Sequence, residues 1–216
     1  ALVMLAVYVL GIVVAILSGL LLKKTLFTGN PVPFVMELPA YRIPNAQSVL
    51  LHMWEKAKDF LHRAFTIIFT ATIVIWFLQS YDFSFHAVSD ASESMLAGIG
   101  SLLSPIFAPL GFGDWRATSA LITGVTAKES VVSTLSILTG AGSDAGLSAA
   151  LMTMFTPVSA FAFLCFTVLY MPCVAAFAAT RRELGSFWQA LATVLFQTGV
   201  AYIVAFLVYQ IGSVLL

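Results

Sequence analysis

Charge is the scarcest property of this sequence. Asp, Glu, Lys and Arg make up 9% of its 216 residues, while 60% are hydrophobic; a soluble domain carries about 25% charged residues. That shortage excludes a soluble globular domain and points to a chain folded in lipid. A nucleic-acid surface is excluded too, because ten basic residues balance ten acidic ones and form no basic patch. Cysteine is nearly absent. Cys165 and Cys173 fall eight residues apart in what reads as one apolar helix, about 12 Å apart along its axis and too far to bridge. There is no disulfide framework, and redox compartment is not readable. No G-x-x-x-x-G-K-[ST] phosphate loop occurs, and no Ser/His/Asp set has a supporting elbow, so the chain reads as a transport region, not an enzyme. It opens on Ala1 straight into an apolar run, without an initiator Met, a basic n-region or a small-residue cleavage site, and reads as part of something longer.

What is present is a series of apolar spans. An all-α integral membrane fold is expected, with six crossings: Leu2–Leu22, Ala64–Leu78, Met95–Phe112, Ala117–Leu138, Pro157–Thr180 and Trp188–Leu216. The third is interrupted by Gly98, Gly100, Pro105, Pro109 and Gly111, and the fourth by Gly124 and by Lys128-Glu129, so some of these helices are discontinuous. Residues 23–63 form a loop in two parts. Pro31, Pro33, Pro39 and Pro44 keep its first part extended. Asn45 then caps a helix in which Leu50, Met53, Trp54, Ala57, Leu61 and Ala64 recur at helical spacing, giving an interfacial amphipathic helix that leads into the second span. Orientation follows from Lys and Arg. All but Lys128 lie in 23–63, 113–116 and 180–187, whereas the loops 79–94 and 139–156 have none and carry Asp82, Asp90, Glu93 and Asp144. The 23–63 loop is therefore expected on the cytoplasmic side.

Three places carry candidate chemistry. Residues 157–180 hold no charge, yet Pro172 and Cys173 lie within them. Proline has no N–H, so the Val168 carbonyl loses its helical donor, which lipid tolerates only beside protein or a wet cavity. Beside it Cys173 offers a sulfur, a soft metal ligand once deprotonated. The same pattern also suits a buried packing cysteine at a structural kink. The second place is Lys128-Glu129, near the middle of the fourth span. An ionisable residue there costs about 2.5–3.5 kcal/mol on insertion scales. Neighbouring helical side chains point about 100° apart, so each of the two needs its own partner. That depth makes both pathway or gate candidates, and Gly124 would let another backbone come close. The third place is the loop around Glu37 and Arg42, either a rigid connector or a docking point for a cytoplasmic partner.

Taken together, the strings PFVMELPAYRIP (33–44), APLGFGDWRAT (108–118), GVTAKESVVSTL (124–135), LYMPC (169–173) and RRELGS (181–186) resemble the C-terminal membrane region of FeoB-type ferrous iron transporters. The resemblance covers essentially the whole chain. It implies a gate-type domain over 64–216, preceded by a transmembrane helix (1–22) and the cytoplasmic loop and helix (23–63). It also implies part of the permease that takes up Fe(II), its transported substrate, across the bacterial inner membrane. No bound cofactor is implied. Cys173 becomes an iron-pathway ligand by family precedent, with Glu129 inferred beside it from its depth, and Pro172, Val168, Lys128, Gly124 and Tyr170 as pathway or gate residues. Glu37 and Arg42 would couple the gate to the cytoplasm. In such proteins an N-terminal GTP-binding domain and a first cysteine-proline gate half lie upstream, outside this sequence. A homo-oligomer, the lipid bilayer and small cytoplasmic Feo-system accessory proteins are the other expected partners, with no nucleic acid. The competing reading is a transporter of a small organic solute such as a nucleoside on the same gate-type fold, for which Thr123, Thr126, Ser130 and Thr167 supply hydroxyls.

Overall fold

The computed structural model describes residues 2–26, 45–171 and 173–215, most of them helical, and among these residues no strand forms. The chain divides into two units, Ala1–His62 and Arg63–Leu216. Glu37, Arg42 and Pro172 lie outside the described residues.

In the first unit, helix α1 runs from Leu2 to Thr25. At about 1.5 Å per residue its 24 residues exceed the ~30 Å of a bilayer's hydrocarbon. Lys23 and Lys24 close its last turn, where cations suit the negative end of the helix dipole. Helix α2 spans Ala46–Ser80, so that only its residues 46–62 belong to this unit, and Asn45 caps it as expected, its Oδ1 accepting from the Gln47 amide at 3.1 Å. Leu50, Met53, Trp54 and Leu61 are exposed along its first half.

The second unit is built from broken helices. Helix α3 (Met95–Phe107) and helix α4 (Trp115–Gly124) are joined by a short 3-10 turn and bent by 101°. Proline and glycine make the bend. Pro105 offers no N–H to the Ser101 carbonyl, which accepts from Ser104 Oγ at 3.0 Å instead. Gly111 then takes φ 83°, a conformation L side chains rarely adopt. Asp114 starts α4 by accepting from the Arg116 amide at 2.7 Å. The two helices lie close because a Cβ at Gly100 would meet Ser119, whose Oγ donates to the Leu96 carbonyl at 3.2 Å.

Helix α5 follows at Ser130–Leu138, α6 at Asp144–Met154 and α7 at Pro157–Leu169, the last started by a Thr156/Ser159 capping box. Helix α8 covers Val174–Leu184, and after Gly185 (φ 67°) α9 covers Phe187–Leu215. Helix α9 packs along α7 and over the α3–α4 bend. Its Tyr202 and Gln210 donate to the carbonyls of Ile106 (2.9 Å) and Pro109 (3.2 Å), which is how a membrane fold satisfies backbone freed at a bend. Phe107, Phe112, Phe163 and Phe166 form the aromatic centre, with Phe112–Phe163 centroids 5.3 Å apart at 85° and Phe107–Phe166 at 5.4 Å. Each such pair is worth about 0.5–1.5 kcal/mol beyond the area it buries.

The interruption expected within Ala117–Leu138 is a complete break between two short helices. The helix stops at Gly124 and restarts at Ser130, and the ten residues of α4 reach only about 15 Å. Among the described residues, three stretches are long and apolar enough to cross a membrane: Leu2–Thr25, Pro157–Leu184 with its break, and Phe187–Leu215. The α3–α4 pair would be a fourth if counted as one broken span. Two corrections concern local structure. The 139–156 segment, read as a loop, contains α6. Cys165 and Cys173 do not share a helix, since α7 ends at Leu169.

Candidate functional site

The site is where two helix breaks meet, one between α4 and α5 and one between α7 and α8. At the first, Gly124 ends α4, the Val125 amide turns back to the Ile122 carbonyl (3.2 Å), and Thr126 bonds Thr123 O through both its amide (3.0 Å) and its hydroxyl (2.7 Å). The Thr126 hydroxyl thus offers a local hydrogen bond in place of the helical ladder. Across this break Thr123 Oγ1 and Thr134 Oγ1, both buried, bond at 2.8 Å and tie α4 to α5. At the second break the residue before a proline is pushed out of helical geometry. Tyr170, two positions before Pro172, is already extended at φ −67°, ψ 175°.

Lys128, Tyr170 and Val174 join the breaks. The Lys128 ammonium donates to the Val168 carbonyl at 2.9 Å and to the Tyr170 carbonyl at 3.4 Å, and it stands 4.9 Å from the Tyr170 ring centroid. Tyr170 reaches back with its hydroxyl to the Leu121 carbonyl at 3.2 Å. Leu121 belongs to the last turn of α4, whose four carbonyls have no intrahelical donor. The first amide of α8, Val174 N, donates to the Val125 carbonyl at 3.0 Å. Gly124 makes the approach possible, because a Cβ there would run into Tyr170 Oη and Val131 Cγ2.

The sequence expectation placed an unpartnered Val168 carbonyl at the break. The structure gives that carbonyl a cation of the protein's own. Lys128 in turn is no bare charge in mid-helix: it lies in the non-helical break, partly buried, with two carbonyls and an aromatic face around it. Hydrogen bonds to a charged group are worth about 1.5–3 kcal/mol, and the ring adds about 0.5–2.

Cys173 is the N-cap of α8, partly buried and with a free thiol that makes no capping bond. Glu129 is exposed at the head of α5 and caps nothing. Among the described residues no three His, Cys, Asp or Glu side chains gather as a ready cation cage. A cavity of about 860 Å³ lies between α5, α6 and α7, walled by Val131, Leu135, Leu147, Leu151, Phe163 and Leu164. Lys128 and Thr167 line its end at the breaks, and Asp144 is its acidic group. Thr167 Oγ1 is buried there without a partner. Helix α6, a wall of this cavity, was missed in the sequence. Its signal was Ser143 ahead of Asp144, whose Oγ accepts from the Gly146 amide at 3.2 Å, followed by Leu147 and Leu151 four apart.

Family models match the chain in two parts. One, described as ferrous iron transport protein B C terminus, covers residues 4–56; the other, described as Gate, nucleoside recognition, covers residues 61–187. A protein of Staphylococcus aureus named Fe(2+) transporter FeoB is 42% identical over 213 residues, which is 98% of this chain and 32% of that protein. One of the same name from Methanocaldococcus jannaschii is 40% identical over 220 residues, covering 99% and 32%. A Porphyromonas gingivalis protein named as a fusion of Fe(2+) transport protein A and Fe(2+) transporter FeoB is 36% identical over 258 residues, covering 98% and 30%. No solved structure matches. The chain spans about a third of the length of the curated relatives it matches.

Proposed function

This chain belongs to the Gate family, preceded by a ferrous iron transport protein B C-terminal segment, and from that premise we propose that it forms part of the membrane path of an Fe(II) uptake system. The observation that carries the proposal is the meeting of two broken helices, with backbone carbonyls and a free thiol at the junction. Discontinuous helices with exposed carbonyls are how membrane proteins hold ions in transit. Fe(II) accepts N, O and S donors, and here Cys173 supplies sulfur while Val168 and Tyr170 supply oxygen. Glu129 is the carboxylate that receives or releases the ion. Binding must stay weak enough for release, and a thiol with carbonyls, without a full cage, meets that need. Gly124 lets the two breaks come close, and Pro172 is proposed as a gate residue from the sequence alone.

The names of the relatives favour iron over a nucleoside, and the largely apolar walls of the cavity agree. The length the relatives have beyond this region leaves room for an upstream GTP-binding domain and a first gate half, and the proposal adds a homo-oligomeric assembly. The fusion named in Porphyromonas gingivalis supports a Feo accessory protein as a further partner, and the proposal keeps Glu37 and Arg42 as coupling residues from the sequence alone. The setting is the bacterial inner membrane, with 23–63 on the cytoplasmic side. The test is Fe(II) uptake into proteoliposomes by the full-length protein carrying Cys173→Ser. Uptake should fall at least about tenfold at normal expression, and Glu129→Gln reads the carboxylate in the same assay. Wild-type uptake in Cys173→Ser would remove Cys173 from the path.

A further inference from the structure

We propose that the Val168 and Tyr170 carbonyls, with the Tyr170 ring face, are a cation-binding site in which the Lys128 ammonium sits as a resident, displaceable ion. The inference rests on the reading of this junction as an Fe(II) path and adds how that path is kept closed. Both carbonyls converge on one nitrogen, at 2.9 and 3.4 Å, with the ring centroid at 4.9 Å. An ammonium there shows what the site accepts: a partly dehydrated cation given oxygen and a π face in place of water.

The walls of the site are fixed and its occupant is not. Tyr170 is 4% exposed and anchored to Leu121, the Val174 amide is bonded to Val125, and the buried Thr123–Thr134 pair holds α4 to α5. Lys128 alone reaches the site on a flexible four-carbon stem. It also lines the cavity of about 860 Å³, which gives the side chain somewhere to go. Thr167 Oγ1, buried at the same end without a partner, is an acceptor that a withdrawn ammonium would meet. A permanent staple would need neither the space nor the second acceptor.

The step is an exchange of charge for charge. An incoming divalent cation takes the carbonyls as the ammonium withdraws, so the oxygens are never left bare in a medium where an unsatisfied carbonyl costs several kcal/mol. When no metal is present the ammonium returns, and its positive charge repels adventitious cations.

Lys128→Met keeps the stem and removes the charge. In the detergent-solubilised full-length protein, Mn(II) binding followed by electron paramagnetic resonance should tighten at least about tenfold, as for a site blocked nine-tenths of the time. Tightening that survives in a Cys173→Ser background upholds the resident-ion site while removing Cys173 as its companion ligand. Unchanged or weaker Mn(II) binding in Lys128→Met, with Cys173→Ser still slowing Fe(II) uptake, overturns the inference and leaves the proposed function in place. Should Lys128→Met fail to fold, the unaltered protein decides. Saturating Mn(II) should raise acylation of Lys128 by an apolar amine reagent severalfold, read by peptide mass, and labelling that stays level or falls overturns the proposal.

Discussion

Gly124 and Tyr170 supply the sharpest test of how the two breaks fit. Adding a Cβ at Gly124 drives it into Tyr170 Oη and places it 2.5 Å from Val131 Cγ2. Both neighbours are buried, Tyr170 at 4% and Val131 at 3% exposure, so little can give way. Overpacking of this kind costs about 1–3 kcal/mol, and it also pushes the Tyr170 hydroxyl off the Leu121 carbonyl, worth about 1 kcal/mol. Gly124→Ala alone should therefore destabilise by about 2–4 kcal/mol. Tyr170→Phe removes the hydroxyl but keeps the ring, and should cost about 1–3 kcal/mol because Leu121 O is left without its donor. The double variant is the informative one. With the hydroxyl gone, the new methyl loses one of its two clashes and the hydrogen bond can be lost only once, so the combined cost should fall short of the sum by about 1–2 kcal/mol. The assay is reversible denaturant unfolding in detergent micelles, monitored on all four proteins. Additive losses would show that Gly124 and Tyr170 do not meet, and the docking of the two breaks would be wrong.

Two further outcomes follow from the same geometry. Thr123→Val should cost about 1–3 kcal/mol by stranding the Thr134 hydroxyl, whereas Thr123→Val with Thr134→Val should be close to neutral, because both partners become apolar; equal losses in unfolding experiments would contradict the bond. In the 81–94 loop the His86 amide, with that of Ser84, holds the Asp82 carboxyl below its ordinary 3.8. A depressed carboxyl stabilises the loop above its unfolded value and loses that contribution as pH falls through the folded one, so hydrogen-exchange protection of the Ser84 and His86 amides should hold at 3.8 and vanish further into acid, and Asp82→Asn should abolish the dependence. Protection indifferent to both pH and the substitution would refute it.

Helices with a chemical boundary were legible in the sequence. Asn45 before an amphipathic run and Thr156-Pro157 before an apolar one each announce a start, which α2 and α7 keep, while α1 runs on from the expected Leu22 through Lys23-Lys24 to Thr25. The breaks were legible as places of strain but not as shapes. Gly124 and Lys128-Glu129 mark a weak ladder, yet whether a helix bends through them or stops depends on what takes up its carbonyls, and those donors lie some 50 residues further on, in the Tyr170 hydroxyl and the Val174 amide. Periodicity carries no such information. The same limit hid the α3–α4 bend, whose carbonyls at Ile106 and Pro109 are satisfied from α9, about a hundred residues away. Cys173 was visible as a candidate ligand because a thiol beside proline is chemically distinctive, and Glu129 because of its apparent depth. Once the helix stops at Gly124, that depth argument weakens, for Glu129 heads a new helix and is exposed.

The two breaks make each other possible, and this bears on what can pass between them. A break in α4–α5 alone would leave the carbonyls of Leu121 and Val125 facing hydrocarbon, and a break in α7–α8 alone would leave those of Val168 and Tyr170. Each unsatisfied carbonyl costs several kcal/mol in lipid. Docked, the first break receives a hydroxyl from Tyr170 and an amide from Val174, and the second receives the Lys128 ammonium. Of these donors only the ammonium can leave without unfolding a helix end or uncovering a buried ring. Any opening of the junction therefore begins at Val168 and Tyr170, and what enters must satisfy two carbonyl oxygens at once. A metal cation does so by its charge from any direction of approach. An organic solute would need donor groups matched to both oxygens while its remaining polar atoms faced the leucine, valine and phenylalanine walls of the cavity, a burial that costs about 1–3 kcal/mol for each group left unpaired. On the proposed reading, the junction therefore discriminates in favour of a small positive ion before any sulfur ligand is considered, with Cys173 proposed to refine a choice the backbone has already begun.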